Sequence, residues 1–237
     1  MKRESTMRYD LHIHSALSPC ADNDMTPNNI VNMAILNQLD LIAVSDHNSL
    51  AQQKSIQFVA KDKINILYGV EIQTKEEVHV LAYFQDFSQV EKMQAYIDEH
   101  LIKQANDIDY FGHQYIMDEQ DEVISEEPFL LISSLDESIE NIAQFTHQLG
   151  GYFVLAHALG RSNSIITQLG FIPFGLCYDA IEVKNESQRN EIMKSHPWIK
   201  SRMKFLYNSD AHTLSDIGTC SMEIAESELG NFARYVK

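Results

Sequence analysis

The stretch YDLHIHSALS, residues 9–18, sets two histidines one residue apart at the end of an apolar run. Residues i and i+2 of a β-strand point to the same face, so His12 and His14 project side by side, with Asp10 behind them on that face. Two imidazoles so placed can chelate a metal ion. In a chain with ten histidines an H-x-H pair is a weak signal by itself, and its meaning depends on whether the same chemistry recurs where other strands end.

Strand-like runs recur along the chain as YDLHIH, LDLIAVSDH, INILYGVEI, EVHVLAYF, GYFVLAH, DAIEVK and MKFLYNSDAH, with helical patterns between them. That alternation argues for an α/β fold, a parallel sheet or barrel with helices outside. Thr26-Pro27 reads as a cap followed by the first helical residue, and Ile30, Met33, Ala34 and Asn37 follow at helical spacing. Ser134 with Glu137 makes a capping-box pattern whose helix runs to Gly150-Gly151, and Ser162 opens a shorter one ending near Gly170. Residues 85–133 are rich in acidic and amide groups and carry one helical pattern, around SQVEKMQAYIDEHLIKQ. No Pro- or Gly-rich linker isolates them, so they are expected as an insertion beside the barrel within a single domain spanning residues 1–237.

Candidate metal ligands fall where the strands end. His12 and His14 close the first run, His47 the second and Glu71 the third; His79 sits in VHVLAYF, His157 closes YFVLAH, and Asp210 with His212 close FLYNSDAH. In parallel α/β folds the carboxyl ends of the strands converge on one face, so these residues can share one site. Asp210 and His212 repeat the spacing of the opening pair. Neutral imidazole and carboxylate suit Zn²⁺, Mn²⁺ or Fe²⁺, and the lack of clustered thiolates argues against a closed structural zinc site. An open centre holding two or three such ions is hydrolytic: it acidifies a bound water and clamps a phosphoryl oxygen.

Composition narrows the substrate. The 237 residues, 44% hydrophobic, suffice for one large domain. A formal charge of −16 repels phosphate backbones, so a small phosphorylated substrate is expected and long nucleic acid is not. Cys20, Cys177 and Cys220 lie far apart with no C-x-x-C, which reads as reduced thiols in a cytoplasmic protein. The start MKRESTMRYD lacks a leader-like apolar core, and no run reaches membrane-spanning length.

The motifs DLHIHS, SDHN, GVEI, HVLAYF, LAHALGR and NSDAH, in this order, resemble the polymerase and histidinol phosphatase (PHP) family. The resemblance runs from residue 8 to about 224 and implies a distorted (β/α)7 barrel, TIM-barrel-like, with a trinuclear metal site. It implies that His12, His14, Glu71 and Asp210 hold the first metal. His47 and His212 hold the second with a ligand from the loop after the first strand. Glu71 bridges to a third, completed by His79 and His157. The family's common form has a histidine or an Asp-Gly soon after H-x-H, and this chain departs from it; counting back from Thr26-Pro27 puts the loop ligand at Asp22, with Asp24 as rival. Some members read AHPGR where this chain reads AHALGR, which makes Arg161 a candidate for binding substrate phosphate, against the plainer reading of a surface ion pair.

Asp10 and Asp46 precede ligand histidines and either orient an imidazole or cap loop amides. Lys184 and Arg189 read as solvated helix-start charges, and Cys20 as a small buried thiol rather than a soft ligand. His100, His113, His147 and His196 match no motif position, although His113, in the insertion, is placed to touch substrate. The resulting expectation is a metal-dependent phosphoesterase acting on a small phosphorylated metabolite or nucleotide, with Glu71, Asp210 and Arg161 as catalytic residues. Its rivals are a phosphodiesterase or exonuclease on short oligonucleotides, an amidohydrolase-type C–N hydrolase, and a metal-binding module without turnover.

Overall fold

The run Leu41–Val44 is apolar on both faces and wholly buried, which a strand can be only if layers cover it on both sides. The computed structural model describes residues 6–199, 203–220 and 222–225. In chain order its elements are β1 (Thr6–Ile13), α1 (Pro27–Leu36), β2 (Leu41–Val44), α2 (Gln53–Ala60), β3 (Asn65–Gln73), β4 (His79–Phe84), α3 (Phe87–His100), α4 (Ile108–Phe111), β5 (Tyr115–Met117) and β6 (Val123–Glu126). Then follow α5 (Ile139–Gln148), β7 (Tyr152–Leu155), α6 (Ile165–Leu169), β8 (Ala180–Glu182), α7 (Glu186–Ser195), β9 (Lys204–Leu206) and β10 (Met222–Ala225).

The main sheet runs β10-β1-β2-β3-β4-β7-β8-β9. It is parallel except that β4 runs against β3 and β7, and β10 against β1. The sheet curls until its far edge meets its start: Ala211, just past β9, bridges Ile13, with His14 N–H donating to its carbonyl at 2.9 Å and its own N–H donating to that of His12 at 3.1 Å. Below that contact Leu11 N–H donates to Asn208 Oδ1 at 2.9 Å. Side chains such as Leu11, Ala43, Leu67, Leu81, Tyr83 and Val154 fill the interior, while the helices cover the outside. Strands β2 and β3 approach closely: a Cβ on Gly69 would stand 2.2 Å from Ser45 Oγ and 2.9 Å from the Val44 carbonyl, so only glycine fits there. The result is a distorted α/β barrel, one of the two forms that the strand and helix alternation allows and the one that the family resemblance implies. Among the described residues no helix is long and apolar enough to cross a membrane.

Helix α1 begins where Thr26-Pro27 places it, with Thr26 Oγ1 accepting from Asn29 N–H. Two later starts differ from the local reading. Helix α5 is capped by Ser138, not Ser134, whose hydroxyl instead accepts from the Gln73 amide. Helix α6 is capped by Ser164, two residues past Ser162, and ends as expected at Gly170, in the left-handed conformation. In each case several hydroxyls compete for the cap, and contacts made elsewhere in the fold choose among them.

The segment 85–133 divides in two. Helix α3 buries Val90, Met93 and Ile97 in the main outer core. The remainder, including the β5–β6 hairpin, braces two loops at the strand ends: Tyr115 N–H donates to the Ala16 carbonyl at 2.9 Å, and Asn48 Nδ2 donates to the carbonyls of Leu131 and Ser133 at 2.7 Å.

Candidate metal centre

Six histidines and two carboxylates from six strand ends meet at one mouth of the barrel. Glu71 lies at the middle: its Oε1 is 3.0 Å from His79 Nδ1, 2.9 Å from His157 Nε2 and 3.4 Å from His12 Nε2. Its Oε2 is 3.1 Å from His47 Nδ1 and 3.5 Å from His14 Nε2. Asp210 Oδ1 approaches His12 and His14 at 3.6 and 3.4 Å. Ligand atoms of three sets, His12-His14-Glu71, His14-His47-His212 and His47-Glu71-His79, lie within 4.8 Å of one another. The structure thus brings together His12, His14, His47, Glu71, His79, His157, Asp210 and His212, all named from sequence.

The unsatisfied atoms fit a metal better than they fit a hydrogen-bonded core. His157 Nδ1 is buried without a partner, and His12 Nε2 faces His14 Nε2 at 3.2 Å, where one nitrogen at most can donate to the other. Two of the clustered residues are among the seven described non-glycine residues with positive φ. His157 and Asp210 adopt φ of +24° and +55°, a region that non-glycine residues enter rarely and mostly where function requires it.

A ring of polar groups aims these ligands. Glu182, buried, holds His12 Nδ1 at 3.1 Å and accepts from His157 N–H and Asn208 Nδ2 at 2.6 Å each. Such outer partners set tautomer and ring direction. The sequence reading passed over Glu182, and its signal was a carboxylate inside the apolar run AIEV. Asp46 accepts from Ser15 N–H and Oγ and from Ser18 Oγ, all at 2.7 Å, and Ser18 Oγ in turn meets His14 Nδ1 at 2.9 Å. Asp10 does not back the histidine pair. A register irregularity between Asp10 and Ile13 breaks the alternation of β1, and Asp10 caps the returning loop, accepting from Ser209 Oγ at 2.6 Å and Gly218 N–H at 2.8 Å.

Charge is strongly coupled in this cluster. Burial opposes every ionised form, yet it loses where opposite charges meet. Glu71 is held well below the usual carboxylate range by His79, His12 and His47, and Asp210 is held low by His12 and His14. His12 is raised well above its usual value by Glu182, Glu71 and Asp210 in spite of burial, and His47 is raised to about 10, chiefly by Glu71. His14 is instead pushed well down, by burial and then by His212 and His47. In the metal-free protein at neutral pH, His12 and His47 therefore carry protons that a metal ion must displace, because only neutral imidazole coordinates. Zinc titration by calorimetry in buffers of different ionisation enthalpy is expected to show net proton release at pH 7 and an affinity that weakens as pH falls. The sign follows from the shifts: raised imidazoles hold their protons more firmly below their elevated values, so acid favours the metal-free state.

The remaining sequence candidates fall apart from the ligands or at their rim. Arg161 Nη2 donates to Asp210 Oδ2 at 2.6 Å with its side chain 59% exposed, and borders a cavity of about 260 Å³ with Lys184, Gln188 and Asn208. His113 pairs with Glu126 at 2.9 Å and stacks on Tyr115. Asp22 and Asp24 are both exposed; the Asp22 N–H donates to the His212 carbonyl at 2.9 Å, and its carboxylate is not among the clustered ligand atoms. Cys20, on the same loop, is exposed, and its thiol is drawn down to about 6 by His212 and His47 against the opposing effect of desolvation; like Asp22, it is not among the clustered ligand atoms.

Residues 10–160 match a family model described as the PHP domain. The chain belongs to the PHP family. Its members are metal-dependent phosphoesterases, and the cluster around Glu71 contains His and Glu sets able to hold a metal ion. A stretch of 80 residues is 32% identical to a 5'-3' exoribonuclease of Haemophilus influenzae, covering 32% of this chain and 28% of that protein. Among solved structures, a lesion-specific endonuclease from Pyrococcus furiosus shares the fold with a TM-score of 0.64 at 21% identity, over 91% of this chain and 50% of the other. Endonuclease Q bound to a 27-mer duplex with an abasic lesion matches with a TM-score of 0.61 at 20% identity, over 89% of this chain and 50% of the other. This PHP chain therefore spans less than a third of the curated relative and half of the endonuclease. Endonuclease Q, a neighbour of the same fold, holds duplex DNA, which runs against the expectation, drawn from composition, of no long nucleic acid.

Proposed function

We propose that this protein hydrolyses a phosphate ester on a small phosphorylated metabolite or nucleotide, with His12, His14, His47, Glu71, His79, His157, Asp210 and His212 holding two or three divalent ions. The observation that carries this reading is the position of Arg161 and Lys184 on a cavity of about 260 Å³ that opens beside Asp210 and His157. The cavity is below the roughly 300–1,000 Å³ of typical small-molecule pockets, and it suits a phosphoryl group and little more before it opens to solvent.

Divalent ions at this centre supply Lewis acidity and a water acidic enough to attack phosphorus at neutral pH. The chain's own residues bind and orient. Arg161 leaves Asp210 and takes a non-bridging phosphoryl oxygen through its planar fork. Glu182 keeps His12 and His157 aimed inward while Asn208 stays locked between Glu182 and Leu11 N–H. Glu71 and Asp210, both held ionised, serve as ligands and proton acceptors, so the departing oxygen draws its proton from solvent.

The test is phosphate release from mononucleotides, 3',5'-bisphosphonucleotides and histidinol phosphate by protein loaded with Mn²⁺ or Zn²⁺, with a chelated control. Chelator-sensitive release from one compound supports the reading; a metal-loaded protein silent on all of them overturns it. Arg161→Ala is expected to lower kcat/KM by about 10–100-fold, the worth of one or two hydrogen bonds to a charged group, with Arg161→Lys recovering only part because it lacks the bidentate fork. Equal kcat/KM in all three proteins would return Arg161 to the surface ion pair.

The resemblance to the exoribonuclease favours a second reading, removal of nucleotides from the end of a short RNA. Salt separates the two: affinity for a small ligand falls gently with ionic strength, whereas a tracked backbone gives a steep slope set by the number of phosphates contacted.

A further inference from the structure

We propose that Gln73 is the positioning residue of His79: its side-chain carbonyl keeps the ring proton on Nε2, so that His79 offers Nδ1 to a metal ion shared with Glu71. The inference rests on the cluster around Glu71 holding metal and deepens that reading. Strand pairing builds the arrangement. Glu71 and Gln73 are two residues apart on β3 and point to one face, and the antiparallel register sets His79 of β4 directly opposite Gln73. The imidazole therefore lies between the two side chains, with Nδ1 3.0 Å from Glu71 Oε1 and Nε2 2.9 Å from Gln73 Oε1.

The bonds around Gln73 fix which way its amide points. Asn163 Nδ2 can only donate, and it donates to Gln73 Oε1 at 3.4 Å, while Gln73 Nε2 donates to Ser134 Oγ at 2.8 Å. Oε1 is an acceptor in this network, so His79 Nε2 brings the proton to it. The backbone on both sides is held as well: Gln73 N–H donates to Asn48 Oδ1 at 3.1 Å, Leu135 N–H to the Gln73 carbonyl at 2.8 Å, and His79 N–H to the Asn163 carbonyl at 2.9 Å.

A neutral imidazole that donates from one nitrogen carries a lone pair on the other. His79 Nδ1 thus turns a lone pair toward the Glu71 carboxylate at 3.0 Å, a contact that requires a proton or a metal ion between the two atoms. Ligand atoms each about 2.0–2.2 Å from one zinc-class ion stand about 3 Å apart, so the spacing suits a shared ion. His12 and His157 face Glu71 through Nε2 instead, and Glu182 takes the Nδ1 of His12. The partner on the outer nitrogen decides which nitrogen turns inward.

Two variants and one spectroscopic readout test this. Gln73→Met removes the acceptor at similar volume, whereas Gln73→Glu keeps an acceptor and makes it charged, with the Ser134 hydroxyl free to turn and donate. In Zn²⁺ titrations against a competing chelator, Gln73→Met is expected to weaken one ion by about 10–100-fold. Gln73→Glu should bind zinc at least as tightly as the wild type, because a carboxylate partner raises the basicity of the ligand. Nitrogen NMR of the histidine rings reads the assignment itself: in the zinc-loaded wild type, the His79 proton should sit on Nε2 and the metal on Nδ1. Zinc on His79 Nε2, or equal zinc affinity in Gln73→Met and the wild type, overturns the role of Gln73 and leaves the metal centre intact. Zinc that shifts no ring resonance of the cluster overturns both.

Discussion

Glu71→Ala is expected to reduce chelator-sensitive phosphate release by about 10³-fold or more while the protein stays folded. Glu71 lies within 3.5 Å of five imidazoles, whereas Asp210 approaches three, His12, His14 and His212, within 3.6 Å. Removing it would take away a carboxylate that two of the ligand sets, His12-His14-Glu71 and His47-Glu71-His79, have in common. The transition-state stabilisation that catalytic divalent ions supply is worth several kcal/mol, and each 1.36 kcal/mol is about tenfold in rate. Metal content by mass spectrometry should fall with the rate, and circular dichroism should not change. Glu71→Gln is the sharper variant: it keeps the volume and loses the charge. If either variant turned over at the wild-type rate with its metal depleted, the assignment of this cluster as the reactive centre would fail.

The second large effect is expected at a residue that holds no metal. Glu182→Ala should destabilise the fold by roughly 3–5 kcal/mol, the cost of leaving charged partners of a buried pair uncompensated, which lowers Tm by roughly 6–20 °C for a domain of this size. Three donors lose their acceptor at once: His12 Nδ1, the His157 amide and Asn208 Nδ2. Metal affinity should also fall about 10–100-fold, because His12 then loses the partner that sets its tautomer. Measuring both quantities separates the two roles of this carboxylate. Excess zinc should recover part of the lost stability by mass action, whereas a purely structural Glu182 would show the same Tm loss with no change in metal affinity.

The candidate cluster was legible in the sequence because its signal is local and chemically scarce. His12, His14, His47, Glu71, His79, His157, Asp210 and His212 each sit in or at the end of an apolar run, and strand ends in a parallel fold share one face. Thr26-Pro27 was legible for the same reason, since a cap and a first-turn proline act within a few residues. Where several hydroxyls competed for a cap, as before α5 and α6, local chemistry could not choose among them.

What only the tertiary structure decided lies where long-range bonds set the direction of a side chain. The path of residues 15–25 depends on Asp46 and on the carbonyl of His212, and there residue spacing pointed to Asp22, whose side chain is exposed. Glu182 had no motif to announce it, and its part follows from the curl of the sheet, which brings the end of β8 within reach of His12 on β1. Asp10 was ambiguous between orienting a ring and capping a loop until the register irregularity in β1 turned it to the loop. Residue types and strand periodicity determined which chemistry this chain carries; closure of the barrel, which joins atoms some 200 residues apart such as Leu11 N–H and Asn208, determined which atoms carry it.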